Sequence, residues 1–290
     1  MPEKMSPKEL ETKVTKVIIE CRRHGQKEND PEKDNRDRLL TPFGRQQATN
    51  KGKEFNPQSE VAIATGSLQK RTLETAGHMM LANEEKISAD DSLEQMETKI
   101  AEELKMGTKI HTDERLDFHS TAESLAAYNE GRLLKFLIEE SDKSVLRNKD
   151  SKESSYLRYA GNLAELYNKY SLMGDNFNKL ASQTDKYEKF GNQLERYLAT
   201  HNGAAESFIA KLLEKTKGPE ARDKYVNTVG GNGYKETQGF HTEIINNGKS
   251  QTIEITYDIG DKTEKISIDR KLLEEVIEDR KGLEKKIEQK

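Results

Sequence analysis

An arginine and a histidine stand side by side directly after an apolar stretch near the start of the chain. Arg23 and His24 follow Val17-Ile18-Ile19 and Cys21, and this run predicts a buried β-strand over 14–21. Ligands of open α/β sheets bind at the carboxyl ends of the strands. A guanidinium group forms a planar fork that grips phosphate oxygens, and a neutral imidazole can attack phosphorus. The pair therefore indicates a site for an anionic substrate and a nitrogen nucleophile.

A second short strand is predicted over 60–65, and it also leads toward a cationic side chain. Ser67 follows it and is expected to cap a helix that runs to about Met80. Arg71 then lies in the first turns of that helix. The N-terminal end of a helix favours anions, so Arg71 is a candidate phosphate ligand.

A third strand candidate, 196–200, ends at His201, and a helix is expected to start at Asn202 or Gly203. All three predicted strands thus end at polar side chains. Because the carboxyl ends of parallel strands meet at one edge of a sheet, we expect these side chains to line one crevice.

Strands that alternate with helices predict an α/β fold with a central, mostly parallel sheet and helices on both faces. The 290 residues are interpreted as one domain, 1–290, with helical insertions that we expect to cover the pocket. A β-hairpin and a last helix should close the chain, whereas a glycine-rich loop is expected over 222–239. A helix capped by Thr41 is predicted over 42–55. The insertions are predicted at 83–107, with a helix that begins at the capping box Ser92-x-x-Gln95 and stops at Gly107, and at 141–190. The last predicted elements are a hairpin over 241–257 around Asn247-Gly248, a strand over 264–268 and a helix over 270–290.

Composition narrows the class of protein. Hydrophobic residues make up 32% and charged residues 34%, so we expect a modest core surrounded by solvated helices. The net charge of −4 predicts no broad basic face and argues against nucleic acid as a partner. The sequence has no apolar run of membrane-spanning length, and residues 1–15 lack a signal-peptide core, so we expect no membrane contact and a cytoplasmic protein. The single cysteine, Cys21, excludes an intrachain disulfide.

Several motifs, taken in order, resemble the histidine phosphatase superfamily, in its phosphoglycerate-mutase-like branch. The resemblance covers most of 14–80, then about 112–138 and 195–215. The matching pieces are Arg23-His24-Gly25, Leu39-Leu40-Thr41-Pro42-Phe43-Gly44-Arg45-Gln46-Gln47-Ala48, Ser67-Leu68-Gln69-Lys70-Arg71-Thr72-Leu73-Glu74-Thr75-Ala76, Asp113-Glu114-Arg115-Leu116-Asp117-Phe118 and Thr200-His201-Asn202-Gly203.

The resemblance implies a role for each matched residue. His24 would be the nucleophile that becomes phosphohistidine, and Arg23, Arg71 and His201 would surround the phosphoryl oxygens. Glu114 would protonate the leaving oxygen and then deprotonate the attacking water. No metal and no cofactor is implied, because arginines offset the charge on the phosphoryl group.

The carboxylate assignment stays open at this point, because Asp113, Asp117 and Glu123 lie near Glu114 in the sequence. Glu123 is interpreted as the partner of Ser120 in a capping box, which argues against a catalytic role. Asn202 follows the second histidine, where another branch of the family has an aspartate donor, so the proton must come from elsewhere.

The favoured function is a phosphomonoester phosphatase, and the expected partner is a small phosphorylated substrate or a phosphoprotein. A phosphoglycerate-type mutase is one alternative, although only half of its Glu-Arg-His-Tyr-Gly stretch is present, as Glu114-Arg115-Leu116-Asp117-Phe118. A non-catalytic phosphate-binding or scaffolding protein is the other alternative, since fold does not fix function. The apolar side of the predicted C-terminal helix is a candidate oligomer contact.

Overall fold

A computed structural model describes residues 14–57, 61–103, 108–148, 152–183, 192–247 and 250–289. These residues form one twisted sheet flanked by helices. In chain order the strands are β1 (Thr15–Arg23), β2 (Ala62–Gly66), β3 (Lys109–Thr112), β4 (Gln193–Thr200), β5 (Gly239–Asn246), β6 (Gln251–Ile259) and β7 (Lys262–Ile268). The α-helices are α1 (Pro42–Phe55), α2 (Lys70–Met80), α3 (Leu93–Glu103), α4 (Ala122–Asn129), α5 (Leu133–Phe136), α6 (Asp142–Asn148), α7 (Tyr156–Gln183), α8 (Ala204–Lys217), α9 (Pro219–Val229) and α10 (Arg270–Glu288).

The strand order across the sheet is β3-β2-β4-β1-β5-β6-β7. The strands β3, β2, β4 and β1 are parallel, and β5, β6 and β7 continue the sheet in antiparallel fashion. The predicted fold class, a central and mostly parallel sheet with a C-terminal hairpin and helix, is confirmed. The third hairpin strand is confirmed as well, whereas Gly248 of the predicted turn lies outside the described residues.

Helices cover both faces of the sheet. Along a strand successive side chains point to opposite faces, and β4 shows this directly. Leu198 belongs to the large core cluster that contains residues of α7, α8 and α10. Tyr197 and Ala199 belong to a second cluster with residues of α1 and α2. The sheet is thus sandwiched between two hydrophobic layers, as a parallel sheet requires.

The helix α7 is an integral layer of the fold. Its Tyr167 is fully buried, with its ring centroid 5.1 Å from that of Phe208 and 5.7 Å from that of Phe240. This helix was expected to lie in a pocket-covering insertion at 141–190, but most of its buried apolar side chains belong to the large core cluster that also contains residues of β1 and β5. The assignment of 83–107 and 141–190 as insertions stays a prediction, and parts of both segments, including the expected stop at Gly107, lie outside the described residues.

The C-terminal helix α10 uses its apolar side within the chain. Leu273, Val276 and Leu283 are buried, and the helix packs along α7. The face that was expected to be available to an oligomer partner is therefore occupied by α7. None of the helices that the structure describes is both long and apolar enough to span a lipid bilayer.

Two predicted helix caps are wrong by a few residues. The helix α2 begins at Lys70 rather than after Ser67, because Ser67 Oγ accepts the backbone N–H of Gln69 (3.1 Å) and holds the chain in a turn. At α4 the reciprocal capping box joins Thr121 and Ser124, not Ser120 and Glu123. At α4 two adjacent hydroxyl residues, Ser120 and Thr121, could cap the helix and Thr121 does so, whereas the N-cap of α2 is Gln69, whose side chain makes no capping hydrogen bond.

Two elements were not expected. The segment predicted as a loop over 222–239 is helical as far as Val229, since Pro219 after Gly218 starts α9. The short strand β3 adds to the edge of the sheet beside β2, although its side chains are mostly exposed and show no apolar pattern. The predicted helices α1 and α8 and the capping box at Ser92 are confirmed.

Candidate active site

The carboxyl ends of β1 and β4 bring two histidines together. These strands are parallel neighbours with Arg23 beside Thr200, so His24 and His201 follow at the same edge. The backbone N–H of His24 donates to the carbonyl of Thr200 (3.0 Å). The two imidazole centroids lie 5.3 Å apart in an edge-on arrangement. The predicted convergence of strand ends is confirmed, and both rings line a cavity of about 330 Å³.

The ring of His24 is held with one nitrogen toward the cavity. Its Nδ1 lies 2.7 Å from the carbonyl oxygen of Gly25. A carbonyl can only accept, so Nδ1 carries the proton and Nε2 keeps its lone pair. Burial, followed by the positive charge of Arg71, holds the pKa of His24 well below its ordinary value. The imidazole is therefore neutral at physiological pH and has an unprotonated nitrogen available.

The glycine of the Arg-His-Gly motif has a steric reason. A Cβ at residue 25 would lie 2.6 Å from the carbonyl oxygen of Gly44, in the first turn of α1. The backbone N–H of Gly25 also donates to Thr75 Oγ1 (3.1 Å) in α2. Close approach of α1 and α2 to this turn fixes the backbone that carries His24.

Arg71 reaches the same place from the first turn of α2. Its side chain is only 2% exposed, and its Nε–H points at His24 Nε2 over 3.3 Å. Its Nη1 donates to the backbone carbonyl of Asn35 (2.6 Å). Burial lowers the pKa of Arg71 to about 10, so the guanidinium remains charged. The nearby charge of Asp117 raises the pKa of Arg71 in part, but among the described residues no carboxylate lies within ion-pair distance, so the buried cation can still accept an anion.

Arg23 is held on the opposite side by the loop after α9. Its Nη1 donates to the carbonyl of Tyr234 (2.5 Å), and its Nη2 lies 3.3 Å from Glu236 Oε1. Its Nε is buried and has no hydrogen-bond partner among the described residues. Part of this guanidinium is therefore committed to the loop, and part remains available to a ligand.

The second histidine also has a free nitrogen. His201 Nε2 and Ser67 Oγ lie 2.8 Å apart, whereas His201 Nδ1 is buried and unpaired among the described residues. Burial, followed by the neighbouring His24, lowers the pKa of His201 well below its ordinary value. Phe118 packs on this ring with centroids 4.6 Å apart. The link between Ser67 and His201 was not anticipated, since Ser67 had been interpreted as a helix cap.

The carboxylates near residue 114 occupy different environments. Glu114 is exposed in a 3₁₀ turn, Glu114–Leu116, and both Glu114 and Asp117 line a cleft that neighbours the His24 cavity. Asp117, at the end of that turn, is 6% exposed, and its Oδ1 lies 3.9 Å from His201 Nε2. Asp113 is paired with Arg115. Asp117 is therefore the carboxylate of this group that lies beside the histidine pair, while the role of Glu114 stays a prediction.

Two residues of the charged loop after β1 lie at the cavity although the sequence analysis did not assign them to the site. Lys27 and Asn35 line the cavity, and Asn35 supplies the carbonyl that holds Arg71. Burial, followed by the charge of Arg71, lowers the pKa of Lys27. A lysine three residues after His24 was the available signal, but the path of a loop is not set by residue type alone. Within the described ranges no group of three or more His, Cys, Asp or Glu side chains is placed to hold a metal ion.

Residues 21–136 match the family described as the histidine phosphatase superfamily, branch 1, which confirms the resemblance stated from the motifs. Solved structures of similar fold include a mycobacterial glucosyl-3-phosphoglycerate phosphatase (15% identity, covering 80% of this chain and 91% of that chain, TM-score 0.39). Another is a phosphoglycerate mutase from Bacillus anthracis (14% identity, covering 93% of this chain and 99% of that chain, TM-score 0.38). A third is a phosphoserine phosphatase from Entamoeba histolytica (16% identity, covering 79% of this chain and 90% of that chain, TM-score 0.36). No curated protein sequence matches the chain.

Proposed function

Because the chain carries the histidine phosphatase pattern over residues 21–136, we propose that it is a phosphomonoester phosphatase that works through a phosphohistidine at His24. One observation carries the proposal. The unprotonated Nε2 of His24 faces Arg71, a buried guanidinium with no carboxylate partner among the described residues. An incoming phosphate dianion can pair with this guanidinium while its phosphorus faces the nucleophilic nitrogen of His24.

The phosphoryl oxygens have several donors within the cavity. Arg71 supplies the remaining N–H groups of its fork, Arg23 its unpaired Nε–H, and Lys27 its ammonium group. His201 can donate from Nδ1, which has no other partner in the described part of the chain. These groups are fixed before the substrate arrives, so they stabilise the developing charge without reorganisation.

In the first step His24 Nε2 attacks phosphorus and its lone pair forms the N–P bond. The bond from phosphorus to the ester oxygen breaks, and its electron pair leaves with the alcohol oxygen, which takes a proton from a carboxylic acid. Throughout this step the Nδ1–H of His24 donates its hydrogen bond to the Gly25 carbonyl, which stabilises the positive charge that develops on the ring. The products of this step are the alcohol and phosphohistidine.

In the second step water attacks phosphorus and its proton goes to the carboxylate that was left by the first step. The P–N bond breaks, and its electron pair returns to His24 Nε2. Inorganic phosphate then leaves, and the acid is again protonated. No outside oxidant or co-reactant is needed, because every proton and electron pair is accounted for.

We assign the proton donor to Asp117 and keep Glu114 as the alternative. Asp117 is buried beside His201 and is held by Gln69 Nε2 (3.3 Å). Glu114 is exposed and lies in the adjoining cleft, which it shares with Asp117. A general acid has to come within hydrogen-bond reach of the leaving oxygen, and Asp117 is the candidate whose Oδ1 lies 3.9 Å from His201 Nε2.

The test is phosphoenzyme formation and turnover with p-nitrophenyl phosphate in the presence of EDTA. Wild-type protein should hydrolyse the ester and carry an acid-labile, base-stable phosphoryl group, and His24→Gln should show neither. His111→Gln is the matched control, since His111 is an exposed histidine on β3 at the sheet edge. Turnover that persists in His24→Gln, or that is lost equally in His111→Gln, would refute the assignment of the nucleophile.

A further inference from the structure

The active-site cavity changes character with distance from His24. Its cations, Arg23, Lys27 and Arg71, all lie around the histidine pair. Beyond them the ring of Phe118 contacts His201 on one side and joins the cluster of Leu137 and Tyr159 on the other. Leu133 belongs to the same cluster and lines the cavity as well. The wall opposite the phosphate end therefore has a connected group of apolar and aromatic side chains.

Two of the polar side chains on that wall, Ser124 and Ser154, are engaged within the protein. Ser124 Oγ donates to the carbonyl of Thr121 and accepts the Thr121 backbone N–H. Ser154 Oγ accepts the backbone N–H of His119 (2.8 Å). In the part of the chain that the structure describes, no aspartate or glutamate lines this cavity. The ammonium group of an amino alcohol would thus lose its hydration there without gaining a counter-charge.

The mouth of the cavity is apolar as well. Leu125 and Tyr128, on α4, are exposed by 54% and 42% and line its rim. Large exposed apolar side chains at the entrance of a site extend the surface that an apolar ligand can cover. Although 83–107 was expected to help cover the pocket, none of its described residues contributes to this lining, whereas Ser154 and Tyr159 of 141–190 do.

We propose that the substrates are phosphate monoesters of uncharged, apolar alcohols or phenols, and that the hydrocarbon part binds to α4, α5 and the π-helical turn Leu137–Ser141 that follows α5. This inference rests on the proposed phosphatase function. The cavity of about 330 Å³ lies near the lower end of the range for ligand pockets, so it suits a small aryl or alkyl group. Specificity then comes from the apolar wall, while the cations around His24 accept any phosphoryl group.

A series of alkyl phosphates tests the inference without changing the chemistry. Ethyl, butyl and hexyl phosphate release alcohols of nearly equal acidity, so differences in kcat/KM report binding of the chain. Each methylene that leaves water is worth about fourfold. Because the cavity is partly open, we expect kcat/KM to rise at least about tenfold from ethyl to hexyl phosphate. Glycerol phosphate and 3-phosphoglycerate should fall below hexyl phosphate.

A matched pair of leucine variants locates the effect. Leu125→Ser should lower the hexyl-to-ethyl ratio of kcat/KM by about three- to tenfold, since it replaces hydrocarbon at the rim. Leu172→Ser should leave that ratio unchanged, because Leu172 is 36% exposed on α7 and does not line the cavity. Both positions are solvent-exposed, so neither variant is expected to unfold. An equal effect of both variants would overturn the inference.

Binding separates this inference from the proposed function. Hexylphosphonate cannot be hydrolysed, and it should raise the Tm of the wild-type protein more than ethylphosphonate does. If no ester is hydrolysed but this order holds, the phosphatase function fails and the apolar ligand class stands. If kcat/KM and the rise in Tm do not increase with the length of the alkyl chain, or if 3-phosphoglycerate is preferred, the inference that the substrates are apolar is overturned. Hydrolysis of any of these esters would still support the phosphatase function.

Discussion

Arg71 is expected to destabilise the folded protein and to bind the phosphoryl group of the ligand. The variant Arg71→Met tests both effects. Burial lowers the pKa of the guanidinium from its ordinary value above 12 to about 10, which corresponds to about 3 kcal/mol against the charged form in the folded protein. Methionine removes this cost and remains a good helix former. It also leaves the Asn35 carbonyl without its donor, at about 1–3 kcal/mol.

The net expectation is a variant that unfolds with the same free energy as the wild type or up to about 2 kcal/mol more. For a chain of this size that corresponds to a rise in Tm of about 0–4 °C. Catalysis should fall by about 10²–10³ in kcat/KM, the usual effect of removing one donor from a transition-state site. Inorganic phosphate at about 100 times its Kd should stabilise the wild type by about 2.7 kcal/mol, and most of that stabilisation should be lost in Arg71→Met.

The assay is calorimetric or fluorescence-detected unfolding with and without phosphate, beside steady-state kinetics. Arg22→Met is the matched control, because Arg22 is also buried but is paired with Glu20 (3.0 Å) and Asp258 (3.0 Å). Breaking that buried pair should cost about 3–5 kcal/mol while the response to phosphate persists. Arg71→Met that is destabilised by more than about 2 kcal/mol and still responds fully to phosphate would refute the reasoning.

Three further outcomes are expected. Asp117→Asn should lower kcat/KM for an alkyl phosphate by about 10²–10⁴ and Glu114→Gln by less than about threefold, and the reverse order in steady-state kinetics would restore Glu114 as the acid. Because the pKa of His24 lies well below its ordinary value, kcat/KM corrected for substrate ionisation should show no loss with a midpoint near pH 6.5, and a midpoint there would contradict the assigned environment. Burial raises the pKa of Glu206 to about 7, so its contribution to stability is fully present below its ordinary pKa and is lost as the pH rises through about 7. Glu206→Gln, measured by urea unfolding at several pH values, should flatten that decline, and an unchanged slope would exclude Glu206 as its cause.

The sequence allowed the position of the site to be predicted, because strand direction and strand ends are local properties. Apolar runs that end in Arg23-His24 and in Thr200-His201 specify which residues reach the carboxyl edge, and parallel pairing then brings them together. Arg71 followed from its place in the first turn of a helix. These three side chains do meet, although their chemical roles stay predictions until the variants are measured.

The proton donor could not be predicted in the same way. Glu114 and Asp117 stand three residues apart at the two ends of a 3₁₀ turn, and the turn decides which one is buried. That turn is fixed by distant contacts, for example the hydrogen bond from Thr200 Oγ1 to the Leu116 carbonyl (2.9 Å). Lys27 and Asn35 were not assigned to the site for a related reason, since the path of their loop depends on the β-bridge between Lys27 and Leu40.

Charge pairing distinguishes arginines that residue type does not. Arg22 and Arg23 are adjacent in β1, but successive side chains of a strand point to opposite faces. Arg22 therefore forms ion pairs with Glu20 and Asp258, whereas Arg23 lines the active-site cavity. Lack of an ion pair alone does not mark a site. Arg196 is buried and forms no carboxylate pair within the described residues, but its guanidinium lies 5.9 Å from the centroid of the Tyr170 ring.

Arg71 differs from Arg196 in what stands beside it. Its nearest side-chain partner is the lone pair of His24 Nε2, a neutral acceptor that gives a cation little compensation. Arg71 Nε and the unprotonated His24 Nε2 therefore lie 3.3 Å apart with no ion pair to the guanidinium among the described residues. One bound phosphate dianion can pair with Arg71 while its phosphorus faces His24. Phosphate affinity and the low stability of the ligand-free protein therefore share one cause, so variants that remove the charge of Arg71 should weaken phosphate binding and raise the free energy of unfolding together.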